Sequence, residues 1–141
     1  MIAIVCADQK KGTSVFGKRQ SRDLAVLTDI LGYLDGKHLF IQDYSEDLFL
    51  GEKKNTVSYG SYLITEDFHN LGENDVCFVE LSSLEEYVDD INVLILYTWD
   101  KVYPSDIKLS DEVFEVLKLV SNTEIKGNTH EVIIKEVYER V

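Results

Sequence analysis

The chain has 141 residues, of which 45% are hydrophobic and 28% charged, a balance typical of a single globular domain with a buried core. Its 26 acidic and 14 basic residues give a formal net charge of −12. A field of this sign repels polyanions, so it argues against nucleic acid and anionic membrane surfaces as partners and opposes phosphate-rich cofactors.

The cysteines and histidines indicate the compartment and the absence of a metal site. Cys6 and Cys77 both lie in apolar runs, which predicts buried free thiols and a reducing, cytoplasmic environment. Together with the three histidines they show no metal-ligand spacing, so we expect no metal ion. The apolar run at the N-terminus is too short for a signal sequence, and no run approaches the roughly 18 apolar residues of a membrane span.

The first half of the chain alternates apolar runs with helical patterns. Residues 1–7, MIAIVCA, predict a strand that is covered on both faces, followed by a polar, glycine-marked loop long enough to carry function. Apolar residues at three- and four-residue spacing predict a helix from Ser21 to Leu34, with Ser21 as its N-cap and Gly36 beyond its end. A strand at 37–43, a short helix at 44–51 and a strand at 61–67 are predicted next.

The second half ends in an antiparallel pattern. Residues 75–81 predict a strand, and residues 82–90 predict a helix that opens with a Ser-and-Glu capping box. Residues 91–99 form the most hydrophobic strand, and two alternating segments around Gly127–Asn128 predict a hairpin. The elements indicate one α/β domain over 1–141, with a mixed, mostly parallel sheet flanked by helices and a C-terminal antiparallel hairpin.

The order of these segments resembles the dihydrofolate reductase family over essentially the full chain. The segments that carry the resemblance are MIAIVCAD, RDLAVL, GKHLFI, SYLIT, VCFVELSSLEEYV, YPSDIKLSDEVFEVLKLVSN and THEVIIKEVYERV. The resemblance implies the family's fold, a folate or pterin as small-molecule partner, and NADPH-dependent reduction of dihydrofolate to tetrahydrofolate.

The resemblance also implies roles for individual residues. Asp23 falls at the family's catalytic acid position, and Lys53 falls where the family keeps an Arg for the glutamate tail of folate. The backbone of Ala7 and of Ile95 or Leu96 would touch the pterin. Thr98 matches a pterin-contacting Thr if its strand corresponds to the family's sixth strand rather than its fifth, which the residues leave open.

The cofactor positions depart from the family pattern. Gly12 and Gly17 of the active-site loop and the hydroxyl of Ser45 are kept as candidate NADPH-binding residues. However, Asp43 stands where the family places an Arg against phosphate, and another expected Arg is replaced by acids at 66–67. Each exchange removes a charge-assisted hydrogen bond worth roughly 1.5–3 kcal/mol and adds repulsion. We therefore expect NADPH binding in the family manner to be lost or strongly weakened.

Two functions remain open from the sequence. One is an active reductase that uses Asp23, and the other is a catalytically degenerate relative that keeps the fold as a binding or interaction module. If the resemblance to dihydrofolate reductase holds, Asp23 is expected to be buried beside Ala7, within reach of the hairpin near Val132. Desolvation should then raise its pKa. As an ordinary first-turn acid, Asp23 would instead be exposed, with a pKa at or below its usual value.

Three aromatic residues bear on oligomeric state. Tyr97, Trp99 and Tyr103 cluster where the family has a covering helix. They predict a homodimer, or altered local packing, that covers an exposed sheet edge. The alternative is that these side chains simply fill the vacated cofactor cleft.

Overall fold

A seven-stranded sheet forms the centre of the computed structural model, which describes residues 1–53 and 61–141. Its order is β5-β4-β6-β1-β7-β10-β9, and a small second sheet has the order β3-β2-β8. The strands are β1 (Ile2–Ala7), β2 (Gly12–Val15), β3 (Lys18–Arg19), β4 (His38–Ile41), β5 (Ser61–Ile64), β6 (Val76–Phe78), β7 (Val93–Thr98), β8 (Ile107–Lys108), β9 (Leu117–Lys126) and β10 (Val132–Arg140).

The strand directions confirm the predicted fold class. β1 is parallel to β6 and β7, and β4 is parallel to β5 and β6. Only β10 is antiparallel to its two neighbours, β7 and β9. The sheet is therefore mixed and mostly parallel, and an antiparallel hairpin closes the chain.

β1 is buried on both faces, as its uninterrupted apolar sequence predicts. Ile2 and Ile4 point into a core cluster on one side of the sheet, and Val5 and Ala7 point into a second cluster on the other side. Because side chains alternate along a strand, a strand with helical or loop cover on both faces needs apolar residues at every position.

Three α-helices lie in the described residues: α1 (Leu24–Leu34), α2 (Glu46–Lys53) and the short α3 (Asp111–Glu115). The buried face of α1 recurs at three- and four-residue spacing and packs on the first core cluster; it consists of Val26, Leu27, Ile30 and Leu34. α1 ends at Asp35 and Gly36, both with positive φ, which confirms the predicted glycine stop. None of the helices described is long and apolar enough to cross a membrane.

Several predicted elements differ in extent. α1 begins at Leu24, so Ser21 is not its N-cap. The predicted loop after β1 contains β2 and β3, which pair with each other and with β8. The predicted helix at 82–90 is a single 3₁₀ turn, Leu84–Tyr87, since the Ser83 hydroxyl donates to the Glu85 carboxylate (2.9 Å) rather than capping the backbone. The strand at 75–81 shortens to β6.

The predicted C-terminal hairpin is confirmed, but its connection is longer than a two-residue turn. β9 and β10 are joined by residues 127–131, which we call the hairpin turn. Its backbone N–H groups are engaged by another part of the chain, described below, and this holds the connection away from a tight turn geometry.

The cysteines and the aromatic residues that the sequence singled out lie in or beside the core. Cys6 and Cys77 are free thiols, with Cys77 buried and Cys6 partly so. Tyr97 and Trp99 are buried inside the domain, and Tyr103 is half-buried. The homodimer stays a prediction.

Replacing Ile30 by Ala tests the role of α1 in the core. Ile30 is fully buried between α1 and the sheet, so truncation leaves a cavity and we expect a loss of about 2–5 kcal/mol in the free energy of unfolding. Urea denaturation gives this value, and Thr28→Ala on the exposed face of the same helix is the matched control. Equal, small effects of both variants would contradict the packing of α1.

Candidate functional site

Asp23 caps α1 and binds the hairpin turn at the same time. Its Oδ1 accepts from the backbone N–H of Ala25 (2.8 Å) and of Asn128 (2.9 Å). Its Oδ2 accepts from the N–H groups of Asn128 (2.9 Å), Thr129 (2.8 Å) and His130 (3.0 Å). Residues more than 100 positions apart in sequence are thereby joined by one carboxylate.

Gly127 makes this approach feasible. A Cβ atom at position 127 would collide with the carbonyl of His130 and would lie 3.0 Å from Oδ2 of Asp23. The turn therefore comes close to the carboxylate because it begins with the one residue that has no side chain.

The environment of Asp23 confirms one prediction and overturns another. Its side chain is buried and lies against the hairpin turn, as expected for the reductase frame. The predicted rise of its pKa is wrong: burial alone would raise the pKa, but the N–H groups of His130, Asn128, Ala25 and Thr129 stabilise the carboxylate and hold its pKa well below the usual range. Hydrogen bonds to the charged form outweigh desolvation here.

His130 extends the hydrogen-bonded group from Asp23 toward the second half of the site. Its Nδ1 lies 3.2 Å from Oδ2 of Asp23, and its Nε2 lies 3.1 Å from the Ser21 hydroxyl and 2.9 Å from the Tyr103 hydroxyl. The imidazole also stacks on Trp99, with ring centres 4.5 Å apart and an interplanar angle of 20°. The ring is buried and fixed in orientation by these contacts.

A second ionic group lies at the carboxyl end of β6. Arg19 donates from Nε to Oε2 of Glu80 (2.7 Å) and from Nη2 to Oε1 (3.0 Å), a forked pair. The Ser45 hydroxyl donates to Oε1 of Glu80 (2.7 Å), so its hydrogen is engaged inside the protein. The guanidinium also packs over the ring of Tyr44.

A cleft between α1, α2 and the carboxyl ends of β1 and β6 contains both groups; we call it the α1 cleft. Its walls include Cys6, Ser21, Val26, Glu80 and Trp99. The enclosed space is about 20 Å³, enough for one water molecule. Burial raises the pKa of the Cys6 thiol, helped by Glu80 and opposed by Arg19, so this thiol is not an activated nucleophile.

The pterin-contact residues implied by the resemblance are not gathered in one cavity. Ile95 is buried in the core cluster under α1. Ala7 and Thr98 line a separate groove together with Asp8 and Lys11, and the Ala7 carbonyl accepts from Trp99 N–H (2.8 Å). The side chain of Lys53 lies outside the described part of the structure.

Asp8 organises the loop that carries the two candidate cofactor glycines. Its Oδ1 accepts from the N–H of Lys10 (2.8 Å) and Gly12 (2.9 Å), and its Oδ2 from Tyr103 N–H (2.9 Å) and the Gln20 amide (3.1 Å). Burial opposes ionisation, but these donors lower the pKa of Asp8.

The two glycines have roles within the fold. A Cβ at Gly12 would lie 2.5 Å from the Ser105 hydroxyl, so Gly12 is needed for close packing. Gly17 has a φ of 72°, which suits the turn between β2 and β3. Neither position needs a cofactor to explain it.

The residues at the expected phosphate positions do not fit NADPH. Exposed carboxylates stand at the ends of β4 and β5 and on the first turn of α2: Asp43, Asp47, Glu66 and Asp67. Arg19 is already paired with Glu80 and lies 3.6 Å from Asp47. Phosphate groups would meet negative charge here, and Ser45 has no hydrogen to offer them. Among the residues described, no cluster of His, Cys, Asp or Glu has the geometry of a metal site.

Comparisons with known proteins define the class to which this fold belongs. The chain has the fold of dihydrofolate reductase. A solved dihydrofolate reductase from Enterococcus faecalis, complexed with NADP(H) and RAB-propyl, matches 99% of this chain and 95% of its own, with a TM-score of 0.61 and 13% sequence identity. No protein-family model matches the sequence. No curated protein matches it either.

Sequence reasoning missed three residues of the site. Arg19, Glu80 and His130 converge only through the fold, since the first two are 61 positions apart and His130 is 107 positions from Asp23. Glu80 next to apolar β6 was a signal, because a carboxylate at the end of a buried strand needs a partner.

Replacing Asp23 by Asn tests the junction between α1 and the hairpin turn. Asn keeps one acceptor but turns amide hydrogens toward backbone N–H groups, so we expect a loss of about 2–4 kcal/mol in the free energy of unfolding at pH 7. Denaturation in urea measures this loss, with Asp35→Asn at the exposed end of α1 as control.

The stability of the wild type and of Asp23→Asn should also depend differently on pH. Because the folded-state pKa of Asp23 is lowered, its contribution to stability is complete above the unfolded-state pKa of about 3.9 and declines as the pH falls below it. The Asn variant should therefore lose less stability between about pH 5 and pH 2 than the wild type. Parallel acid curves would show that the carboxylate is not preferentially bound in the folded state.

The Arg19–Glu80 pair is tested by a double-mutant cycle. Arg19→Met leaves Glu80 buried without its cation and should cost about 3–5 kcal/mol. Adding Glu80→Gln should recover a large part of this cost, since no charge is then left unpaired. Additive losses in chemical denaturation would mean that the two side chains act independently.

Proposed function

We propose that this chain is a dihydrofolate reductase-like enzyme whose substrate is dihydrofolate or a related pterin, bound in the α1 cleft. The observation that carries the proposal is the match of 99% of the chain to a solved dihydrofolate reductase. The buried carboxylate of Asp23 at the start of α1 supports it, because it places fixed negative charge in the wall of the cleft.

The cleft has to widen to admit a pterin. Its present volume holds one water, and part of its wall is the segment that follows β3, including Gln20 and Ser21. That segment is held by the Gln20 amide, which donates to Asp8 and to the carbonyl of Pro104. We place the opening motion here, since Asp23 and the hairpin turn are joined by too many hydrogen bonds to separate readily.

Polar groups along the cleft are suited to the edge of a pterin. Glu80 and Ser21 line it, and the carboxylate of Glu80 retains lone pairs that a ring amino group can use. Lys53 is the proposed partner of a glutamate tail. The contacts that the resemblance implies for Ala7, Ile95 and Thr98 are not part of this proposal, because Ala7 and Thr98 line a separate groove and Ile95 is buried in the core.

The reductant is tested separately from the pterin. NADPH is proposed on the resemblance and on the NADP(H) complex of the solved neighbour. The carboxylates at Asp43 and Glu66 and the engagement of Ser45 by Glu80 oppose it in this chain. A full reductase and a pterin-binding protein without turnover are therefore distinguished by experiment.

The second candidate function is a catalytically degenerate binding or interaction module. The specific observation in its favour is that the candidate acid and the candidate cofactor residues all have intramolecular partners: Asp23 binds the hairpin turn, Ser45 binds Glu80, and Gly12 packs against Ser105.

Thermal unfolding with methotrexate, dihydrofolate and NADPH in turn separates these functions. A ligand at about 100 times its Kd adds about 2.7 kcal/mol, which corresponds to a Tm rise of roughly 6–10 °C for a domain of this size. We expect a rise with methotrexate and with dihydrofolate and none with NADPH, because carboxylates stand at the phosphate positions. Loss of NADPH absorbance in the presence of dihydrofolate would show that the family's reductant is used nevertheless.

A matched pair of variants locates the binding. Val26→Phe fills the α1 cleft and should abolish the ligand-induced rise, whereas Ile64→Phe on the exposed face of β5 should leave it unchanged. A rise with both pterins without turnover supports binding alone. No rise with any of the three compounds would remove the folate proposal and leave the interaction module.

A further inference from the structure

The His130 side chain lies between a buried anion and the wall of the α1 cleft. Its Nδ1 faces Oδ2 of Asp23 at 3.2 Å, and its Nε2 faces the Ser21 hydroxyl at 3.1 Å. Ser21 is one of the residues that line the cleft. A continuous hydrogen-bonded chain therefore runs from Asp23 through His130 and Ser21 to the space where a ligand would lie.

The ring is held so that it cannot rotate away from this chain. Trp99 covers one face at 4.5 Å between ring centres, and Tyr103 meets its edge at 6.3 Å and 77°. His130 N–H is also bound to Asp23, so backbone and side chain are fixed to the same carboxylate. An orienting carboxylate on one ring nitrogen directs the other nitrogen toward its task.

Asp23 itself is poorly placed to give up a proton. Both of its oxygens accept backbone N–H groups, and these donors stabilise the carboxylate rather than the acid. Imidazole is the side chain whose ordinary titration falls between pH 5 and 8, and it has a nitrogen directed toward the cleft.

We propose that His130, acting through the Ser21 hydroxyl, supplies the proton to a basic ring nitrogen of the ligand in the α1 cleft, with Asp23 as its orienting carboxylate. This inference rests on the proposed function, because it needs a pterin-class ligand in the cleft. It assigns the proton-donating role to a residue other than the acid that the resemblance implies.

The proton transfer involves only His130, Ser21 and the ligand. The Nε2–H bond of the imidazolium breaks and its proton passes to Oγ of Ser21, while the hydroxyl proton of Ser21 passes to the ligand nitrogen. His130 becomes neutral with its remaining proton on Nδ1, directed at Asp23, and the positive charge moves to the ligand. The Tyr103 hydroxyl, 2.9 Å from Nε2 and part of a half-buried residue, provides the route by which solvent restores the proton.

The titratable groups in contact with His130 come from two elements. Asp23 faces it from the start of α1, and Tyr103 faces it from the segment before β8. Asp100 is the next carboxylate, and it accepts from Glu131 N–H (3.0 Å) in the hairpin turn. Oδ2 of Asp23 can accept from Nδ1, and the Tyr103 hydroxyl can accept from or donate to Nε2.

Nitrogen NMR of the protein labelled at histidine tests the proposal directly. The chain has three histidines, and exposed His38 and His69 serve as internal controls. At about pH 6, we expect Nε2 of His130 to carry a proton in the free protein and to lose its one-bond hydrogen coupling on saturation with methotrexate, while Nδ1 keeps its own. The spectra of His38 and His69 should not change.

Assignment and binding are checked independently. His130→Gln removes the resonance of interest, and if that variant does not fold, His38→Gln and His69→Gln assign it by elimination. Trp99, the only tryptophan, reports binding through its fluorescence. At saturating methotrexate, Nε2 of His130 should keep its proton in Ser21→Ala, with Ser121→Ala as the control on an exposed serine.

The outcomes separate the two proposals. Methotrexate binding with an unchanged protonation state of His130 overturns this inference and leaves the proposed function intact. The same loss of the Nε2 proton in wild type and in Ser21→Ala also overturns the relay. Absence of any fluorescence or thermal response to methotrexate overturns the proposed function, and the inference with it.

Discussion

The carboxylate of Asp23 is the interaction on which the site depends. One buried side chain caps α1 and binds three consecutive N–H groups of the hairpin turn. It thereby fixes the position of His130, and through His130 the orientation of Trp99, Ser21 and Tyr103. The full hydration of a carboxylate is replaced by backbone donors that cannot move, so the charge can stay buried.

The same arrangement limits what the site can do. A carboxylate whose lone pairs are taken by the backbone has little left for a ligand, and its negative charge acts on its neighbours instead. Asp8 is used in the same way, with four donors around its two oxygens. Asp8 and Asp23, both buried at the carboxyl edge of the sheet, thus hold loops in place. The side chains on these loops, rather than the two acids, are then free to act on a ligand.

The fold could be read from the sequence to a large extent, because it is encoded in local patterns. The apolar run of β1, the spacing of Val26, Ile30 and Leu34, and the alternation of the last two strands each record burial at nearby positions. The burial of Asp23 was expected from the resemblance to dihydrofolate reductase, whereas the residues around it favoured an ordinary first-turn acid. Its pKa could not be read, because the outcome depends on four N–H groups, three of them from the far end of the chain. The same holds for Arg19, Glu80 and His130, whose partners are distant in sequence.

The hairpin turn also has a consequence for the order of folding. β9 and β10 are neighbours in sequence, so their pairing closes only a short loop, whereas the contact of Asp23 with Asn128 closes one of 105 residues. Loop-closure entropy favours the hairpin first and its attachment to the start of α1 late. The ionic contact that organises the site is therefore among the last to form, after the strands on either side of it have paired.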